Sequence, residues 1–150
     1  MLSDLDKQEF RTATLELVPS FQRTRVLEGL DLVDPCNADF DAIGIALTGE
    51  QENSAFMFLT GATSRSKTSL WAAIKGEVYD FFCTNSKKYA NERKDGAVTV
   101  KNVVTILATA LAGSFNLALG VVVGAVTVAL MSAVKIGQNA WCEVNRPAPS

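Results

Sequence analysis

Between Lys101 and Lys135 the chain runs for 33 residues without a charged side chain. A helix that crosses a bilayer needs roughly 20 such residues. As one straight helix the stretch would be about 50 Å long, whereas the hydrocarbon core of a bilayer is roughly 30 Å thick. The stretch therefore predicts burial in a membrane, in a helical hairpin or in an oligomer.

The middle of this stretch contains a natural place for a helix to end, at Gly113-Ser114-Phe115-Asn116. A break there predicts a first helix near residues 99–112, which is too short to span a bilayer. The second helix would lie near residues 115–138 and would be long enough. The alternative is one long apolar helix.

Polar and small residues recur through the stretch at helical spacing. These residues are Asn102, Thr105, Thr109, Gly113, Asn116, Gly120, Gly124 and Thr127. Their successive spacings along the sequence are 3, 4, 4, 3, 4, 4 and 3. On one continuous helix they would form a single stripe, because the period of a helix is about 3.6 residues. Such residues let helices pack closely in lipid, and Gly120 and Gly124 form a G-x-x-x-G pair. We therefore expect a homo-oligomer. The expected helix-association residues are Thr105, Thr109, Asn116, Gly120, Gly124 and Thr127.

A buried hairpin of a soluble protein would fit the same composition, since Gly and Ala permit close helix contact and Thr can bond to the backbone. Under the membrane hypothesis, Lys135 and Trp141 suit an interfacial anchor, and the basic residues from Lys87 to Lys101 would lie on the cytoplasmic side. Lys135 and Trp141 equally suit an ordinary helix terminus, and the basic residues equally suit a solvated helix end. The N-terminus lacks the basic and apolar regions of a signal peptide. We therefore expect a membrane protein with a cytoplasmic N-terminal region, or alternatively a cytoplasmic protein.

The net charge of −2 conceals an uneven distribution. Residues 1–62 carry four basic and eleven acidic side chains, a net charge of −7. Residues 63–101 carry eight basic and four acidic side chains, a net charge of +4. Because no broad basic face emerges from this pattern, we expect no nucleic-acid partner.

The chain contains no histidine. This absence removes the Ser-His-Asp and Cys-His mechanisms and the commonest general base near neutral pH. The cysteines Cys36, Cys83 and Cys142 are odd in number and form no C-x-x-C pair. That pattern is typical of a reducing compartment and argues against a disulfide framework or a four-cysteine zinc site. We therefore expect no enzymatic activity, no catalytic residue, no cofactor and no metal site.

One segment resembles a phosphate-binding loop. Gly61 to Thr68 follows the pattern G-x-x-x-x-G-K-[ST], with Ser66 in place of the second glycine. That change falls on a position whose backbone freedom the loop uses, and no later strand supplies a carboxylate for Mg²⁺. Ser64 and Lys67 also match S-x-x-K, without its companion motifs. A nucleotide-binding protein is therefore the lesser alternative.

The region before the apolar stretch predicts mostly helices. Residues 69–83 form the clearest amphipathic helix, with Lys75 away from its apolar face. That face comprises Leu70, Ile74, Val78, Phe81 and Phe82. Residues 12–18 alternate as a strand would, and residues 43–47 fit either a strand or a helix. The predicted fold is mainly α, with a short β element allowed within residues 12–60 and a long apolar helix or helical hairpin near the C-terminus.

The sequence predicts that the chain divides into three segments. They are a cytoplasmic α-rich region over residues 1–97, the apolar helix or hairpin over residues 98–140, and a frayed tail over residues 141–150. This organisation favours a small non-enzymatic membrane-associated protein that self-associates through its apolar segment. The N-terminal region would then sense or bind a partner. The alternative is a soluble α-helical interaction module with a buried C-terminal hairpin, for which a protein partner is expected.

Overall fold

The computed structural model describes residues 7–33, 36–48, 70–84 and 99–146. In this part the chain forms seven α-helices. They are α1 (Lys7–Leu17), α2 (Ser20–Leu30), α3 (Asn37–Thr48), α4 (Leu70–Cys83), α5 (Val100–Phe115), α6 (Leu119–Ile136) and α7 (Gln138–Val144). The predicted mainly α fold is confirmed.

The short β element allowed within residues 12–60 is not seen where that range is described, and residues 49–60 lie outside the described residues. Residues 12–17 continue α1, whose buried side chains Phe10, Ala13 and Thr14 follow helical spacing. Leu15, which gave the segment its alternating pattern, is exposed. Residues 43–47 belong to α3, where Phe40 and Gly44 are buried one turn apart.

Helix α6 lies at the centre of the bundle. Every residue from Val122 to Ala133 is buried, and α6 packs against each of the other six helices. A helix that is apolar all round needs such an environment. The core around it is built from large side chains of the surrounding helices, including Phe10, Phe40, Ile74, Leu107 and Trp141.

The apolar stretch is a helical hairpin, and one long continuous helix is not observed. Thr99 caps the start of α5, where its hydroxyl accepts a hydrogen bond of 3.1 Å from the Asn102 N–H. Asn116 ends α5 in the left-handed conformation, with φ 57°, a region in which asparagine is favoured over most other residues. The Leu117 N–H then donates to the Ala112 carbonyl at 2.9 Å. The break therefore falls at the end of the predicted Gly113–Asn116 segment.

Ion pairs connect the N-terminal helices to each other and to α5. Asp31, at the end of α2, lies 3.4 Å from both Lys7 and Arg11 of α1. The hydrogen bond from Lys7, together with the positive charges of Lys7 and Arg11, lowers the pKa of the Asp31 carboxyl. Lys101 of α5 pairs with Glu16 of α1 at 3.0 Å. The described helices before residue 98 and the hairpin therefore share one core.

The expected frayed tail is wrong for residues 141–144, which belong to α7. The indole of Trp141 is fully buried and donates from Nε1 to Ser132 Oγ of α6 at 2.8 Å. Gln138 Nε2 donates to the Phe82 carbonyl of α4 at 2.9 Å. Trp141 is thus a core residue in this bundle.

A disulfide joins Cys83 at the end of α4 to Cys142 of α7, and Cys36 is free and exposed. The sequence analysis argued against a disulfide framework, yet one disulfide is present, because an odd count excludes only a complete pairing of all the cysteines. A single bond between two of three cysteines needs no C-x-x-C spacing, since α4 and α7 pack side by side.

None of the described helices is by itself both long and apolar enough to cross a membrane. Val122–Ile136 and Gln138–Val144 are long and apolar enough only when they are taken together, and the chain bends by 115° between them.

Candidate functional surface of the hairpin

The hairpin divides the predicted stripe of small and polar residues into two parts. Thr105, Thr109 and Gly113 on α5, and Asn116 in the turn, are exposed. The Thr105 hydroxyl donates to the Lys101 carbonyl of its own helix at 2.8 Å. A β-carbon at Gly113 would meet no atom within 4 Å. Because the helix breaks at Asn116, these residues do not continue onto one face of α6.

The second part of the stripe lies on α6, where Gly120 is exposed beside Pro19 and Gly124 lies against Gln22 of α2. A β-carbon at Gly120 would lie 3.5 Å from Pro19 Cγ, and one at Gly124 would overlap the side-chain oxygen of Gln22. Thr127 is buried, and its hydroxyl donates to the Val123 carbonyl at 2.8 Å. The small residues of α6 thus allow α2 of the same chain to approach closely.

Gln22 is a buried polar residue that the sequence analysis did not identify. Its side chain is 6% exposed, and its Oε1 accepts no hydrogen bond from the described residues. A buried acceptor without a partner destabilises the fold by about 1–3 kcal/mol. The unpaired oxygen of Gln22, which lies beside Gly124, therefore lowers the stability of the α2–α6 interface.

Lys135, for which the sequence left open an interfacial anchor or an ordinary helix end, connects the C-terminal end of α2 to α6. Its ammonium donates to the carbonyls of Leu30 and Leu32, at 2.5 and 2.9 Å. A cation at the C-terminus of a helix complements the partial negative charge there. Partial burial lowers the pKa of the Lys135 ammonium. A lone charge at the end of an apolar helix was the only sequence signal for this role.

Two turns meet at one end of the bundle, which we call the tip. One turn joins α1 to α2 at residues 18–19, the other joins α5 to α6 at residues 116–118, and Pro19 lies beside Gly120. Four large apolar side chains near these turns are exposed: Leu15 (53%), Phe21 (81%), Phe115 (44%) and Leu119 (45%).

A polar network lies away from the tip, between α3, α4 and α7. Trp71 Nε1 and Lys75 Nζ both donate to Asp41 Oδ1, at 2.8 and 2.9 Å. Lys75 also donates to Asn145 Oδ1 at 3.2 Å, and Asn145 Nδ2 donates to Asn37 Oδ1 at 3.2 Å. Lys75, which was predicted to lie away from the apolar face of its helix, thus binds Asp41 and Asn145, and the network holds three helices together.

A cleft of about 400 Å³ adjoins this network. Its lining residues are Asn37, Ala72, Lys75, Gly76, Val144, Asn145 and Arg146. Lys75 is paired with Asp41, and Arg146 is paired with Glu143. Lys75 is therefore engaged in the network, whereas the Arg146–Glu143 pair is exposed and contributes little to stability.

The remaining candidate motifs fall outside the part that can be described. Gly61 to Thr68, with the S-x-x-K segment inside it, lies outside the described residues. Within the described ranges, no group of three or more Cys, Asp or Glu side chains is placed to hold a metal ion.

In the part of the chain that the structure describes, the fold is a helical bundle around the apolar helix α6, with exposed apolar side chains at the tip. Comparisons with protein-family models, curated proteins and solved structures give no match for the chain. Its function must therefore be inferred from the bundle and its surface.

Proposed function

We propose that this chain is a non-enzymatic α-helical interaction module whose apolar hairpin is the core of its own fold. The observation that carries this proposal is the burial of twelve consecutive residues of α6, from Val122 to Ala133, under the six other described helices. The uncharged stretch then has an apolar environment without lipid. The module would act by binding a partner through its exposed surface.

Energetic considerations support a hairpin that stays inside the bundle. Burying one Val, Leu or Met side chain stabilises a protein by about 1.5–3 kcal/mol. Withdrawing α6 into water would expose Val122, Val126, Val128, Leu130 and Met131, all fully buried. The loss would be on the order of 10 kcal/mol, which is as large as the whole stability of a typical domain. The closed bundle is therefore the state in which the module would meet its partner.

Extraction without detergent tests the proposal. The full chain should appear in the aqueous supernatant and elute as a monodisperse species in size-exclusion chromatography. Val122→Asp should unfold the protein, because it buries an unpaired charge in the core. Recovery of the folded wild-type chain only in detergent would refute the proposal.

A second candidate is a membrane-associated protein that self-associates through the hairpin, with the N-terminal helices sensing or binding a partner. It is favoured by the absence of charge on every face of α6 before Lys135 and on the exposed face of α5 after Lys101. In this case the bundle would open, and the exposed residues Thr105 and Thr109 would join Gly120 and Gly124 in contacts between copies. A membrane fraction that resists alkaline carbonate, together with crosslinked oligomers, would establish this candidate.

A further inference from the structure

The tip concentrates apolar side chains that the rest of the described bundle does not cover. Phe21 projects from the first turn of α2 with 81% of its surface exposed, and Phe115 and Leu119 flank the turn between α5 and α6. Contiguous exposed apolar groups usually mark a surface that meets a protein or a membrane. Every residue from 102 to 134 is uncharged, so within the described residues the charges near these two turns belong to α1 and α2.

Those charges are predominantly basic. Arg23 and Arg25 follow Phe21 on α2, and Arg25 is exposed. Arg23 donates to the Val18 carbonyl at 2.9 Å, so it contacts the turn itself. Among the described residues close to the turn between α1 and α2, the acid Glu16 is paired with Lys101. Aromatic and basic residues together complement a surface that is apolar below and anionic above.

We propose that the tip docks on an anionic lipid surface while the bundle stays closed. Phe21, Phe115 and Leu119 would enter the boundary between headgroups and acyl chains, and Arg25 would contact lipid phosphate. A bilayer suits this surface better than an amphipathic peptide helix does. Such helices bind in apolar grooves, whereas Phe21 projects from the surface. The inference rests on the proposed function, since it gives the module its partner and requires the hairpin to remain buried.

Vesicle flotation of the full chain tests this inference. The probes are phosphatidylcholine vesicles with and without 30% phosphatidylglycerol, at about 0.1 M salt. Phe21→Ser and Arg25→Glu should each raise the vesicle concentration for half-maximal binding about tenfold, because each removes a contact with lipid. Val33→Ser is the matched control, since Val33 is 87% exposed and lies beyond the opposite end of α2.

Binding to anionic vesicles that is reversed by high salt, weakened in Phe21→Ser and Arg25→Glu, and retained in Val33→Ser would support the inference. Absence of binding, or equal binding by all variants, would overturn it and leave a monodisperse module intact. Wild-type dimers that Phe21→Ser dissociates, without lipid binding, would assign the tip to a second copy instead. Salt-resistant insertion into both vesicle types would overturn the closed-bundle proposal as well.

Discussion

The indole of Trp71 lies directly over the backbone of Gly44, so that a β-carbon at position 44 would overlap three atoms of its ring. Trp71 is 3% exposed, and its Nε1 is held by Asp41, which is one turn before Gly44 on α3. The ring can therefore neither shift outward nor rotate without losing that hydrogen bond. Glycine at position 44 is required by the packing of α3 on α4.

Gly44→Ala should lower the free energy of unfolding by about 1–3 kcal/mol, because overpacking displaces a buried ring. Gly76→Ala on α4 is the matched control, since a β-carbon there meets nothing within 4 Å. That change should raise the free energy of unfolding by about 0.5–1 kcal/mol, the difference in helix propensity. Chemical denaturation of both variants measures the contrast, and equal midpoints would contradict it.

Helical periodicity predicted which face of a helix is buried. The face predicted for α4 is confirmed, since Ile74, Val78 and Phe81 are all buried. The end of α5 at Asn116 also agrees with the predicted break, because Gly and Asn act locally on the backbone.

The sequence did not predict which side chains of other helices contact those faces. Lys75 binds Asp41, which lies 34 residues away, and Lys135 binds a carbonyl 105 residues away. Gly124 lies in a G-x-x-x-G pair that fits lipid or protein equally, and only the fold shows that Gln22 occupies the space beside it. Periodicity is a property of one helix, whereas a site depends on which helices meet.

A double-mutant cycle tests the contact between Gln22 and Gly124. Gly124→Ala should destabilise the protein by about 1–2 kcal/mol, because the Gln22 amide must move within a packed interface. Gln22→Ala should remove most of that penalty when the two changes are combined, since the overlapping atoms are gone. Gly120→Ala serves as control, because Pro19 leaves 3.5 Å for the added carbon. Additive changes in the unfolding free energy would contradict the contact.

Gln22→Met isolates the buried oxygen. Because Gln22 Oε1 has no hydrogen-bond partner in the described part of the chain, the isosteric apolar side chain should stabilise the fold by about 1 kcal/mol. Thermal unfolding monitored by circular dichroism gives the result. A loss of stability on this substitution would mean that the amide is satisfied in solution.

Two adjacent positions on α4 distinguish core burial from the polar network. Ile74→Asp should cost several kcal/mol, since Ile74 is fully buried and the new carboxylate has no partner. Lys75→Asp should also destabilise the fold, by about 1–3 kcal/mol, because it places a second carboxylate beside Asp41. Lys75→Met should be milder than Lys75→Asp. Unfolding midpoints in urea rank the three variants, and an unchanged midpoint for Lys75→Asp would show that the network does not form.

Nucleotide binding tests the lesser alternative directly. Because Ser66 replaces the second glycine of the loop pattern, we expect no ATP or GTP binding in isothermal titration calorimetry. Lys67→Ala should leave the fold and the vesicle binding unchanged. Nucleotide binding by the wild-type chain that Lys67→Ala abolishes would establish the nucleotide-binding alternative.

The disulfide between Cys83 and Cys142 fastens α7 to α4, in addition to the buried contact of Trp141 with Ser132. The closed loop spans 59 residues, so its removal should lower the free energy of unfolding by about 2–4 kcal/mol. Both Cys83→Ser and Cys142→Ser should show this loss, whereas Cys36→Ser should not, because Cys36 is exposed and free. Thiol titration of the unreduced, denatured chain should detect one thiol, and reduction should reveal all three. Three thiols before reduction would contradict the bond, and α7 would then be held by Trp141, Gln138 and the hydrogen bonds of Asn145.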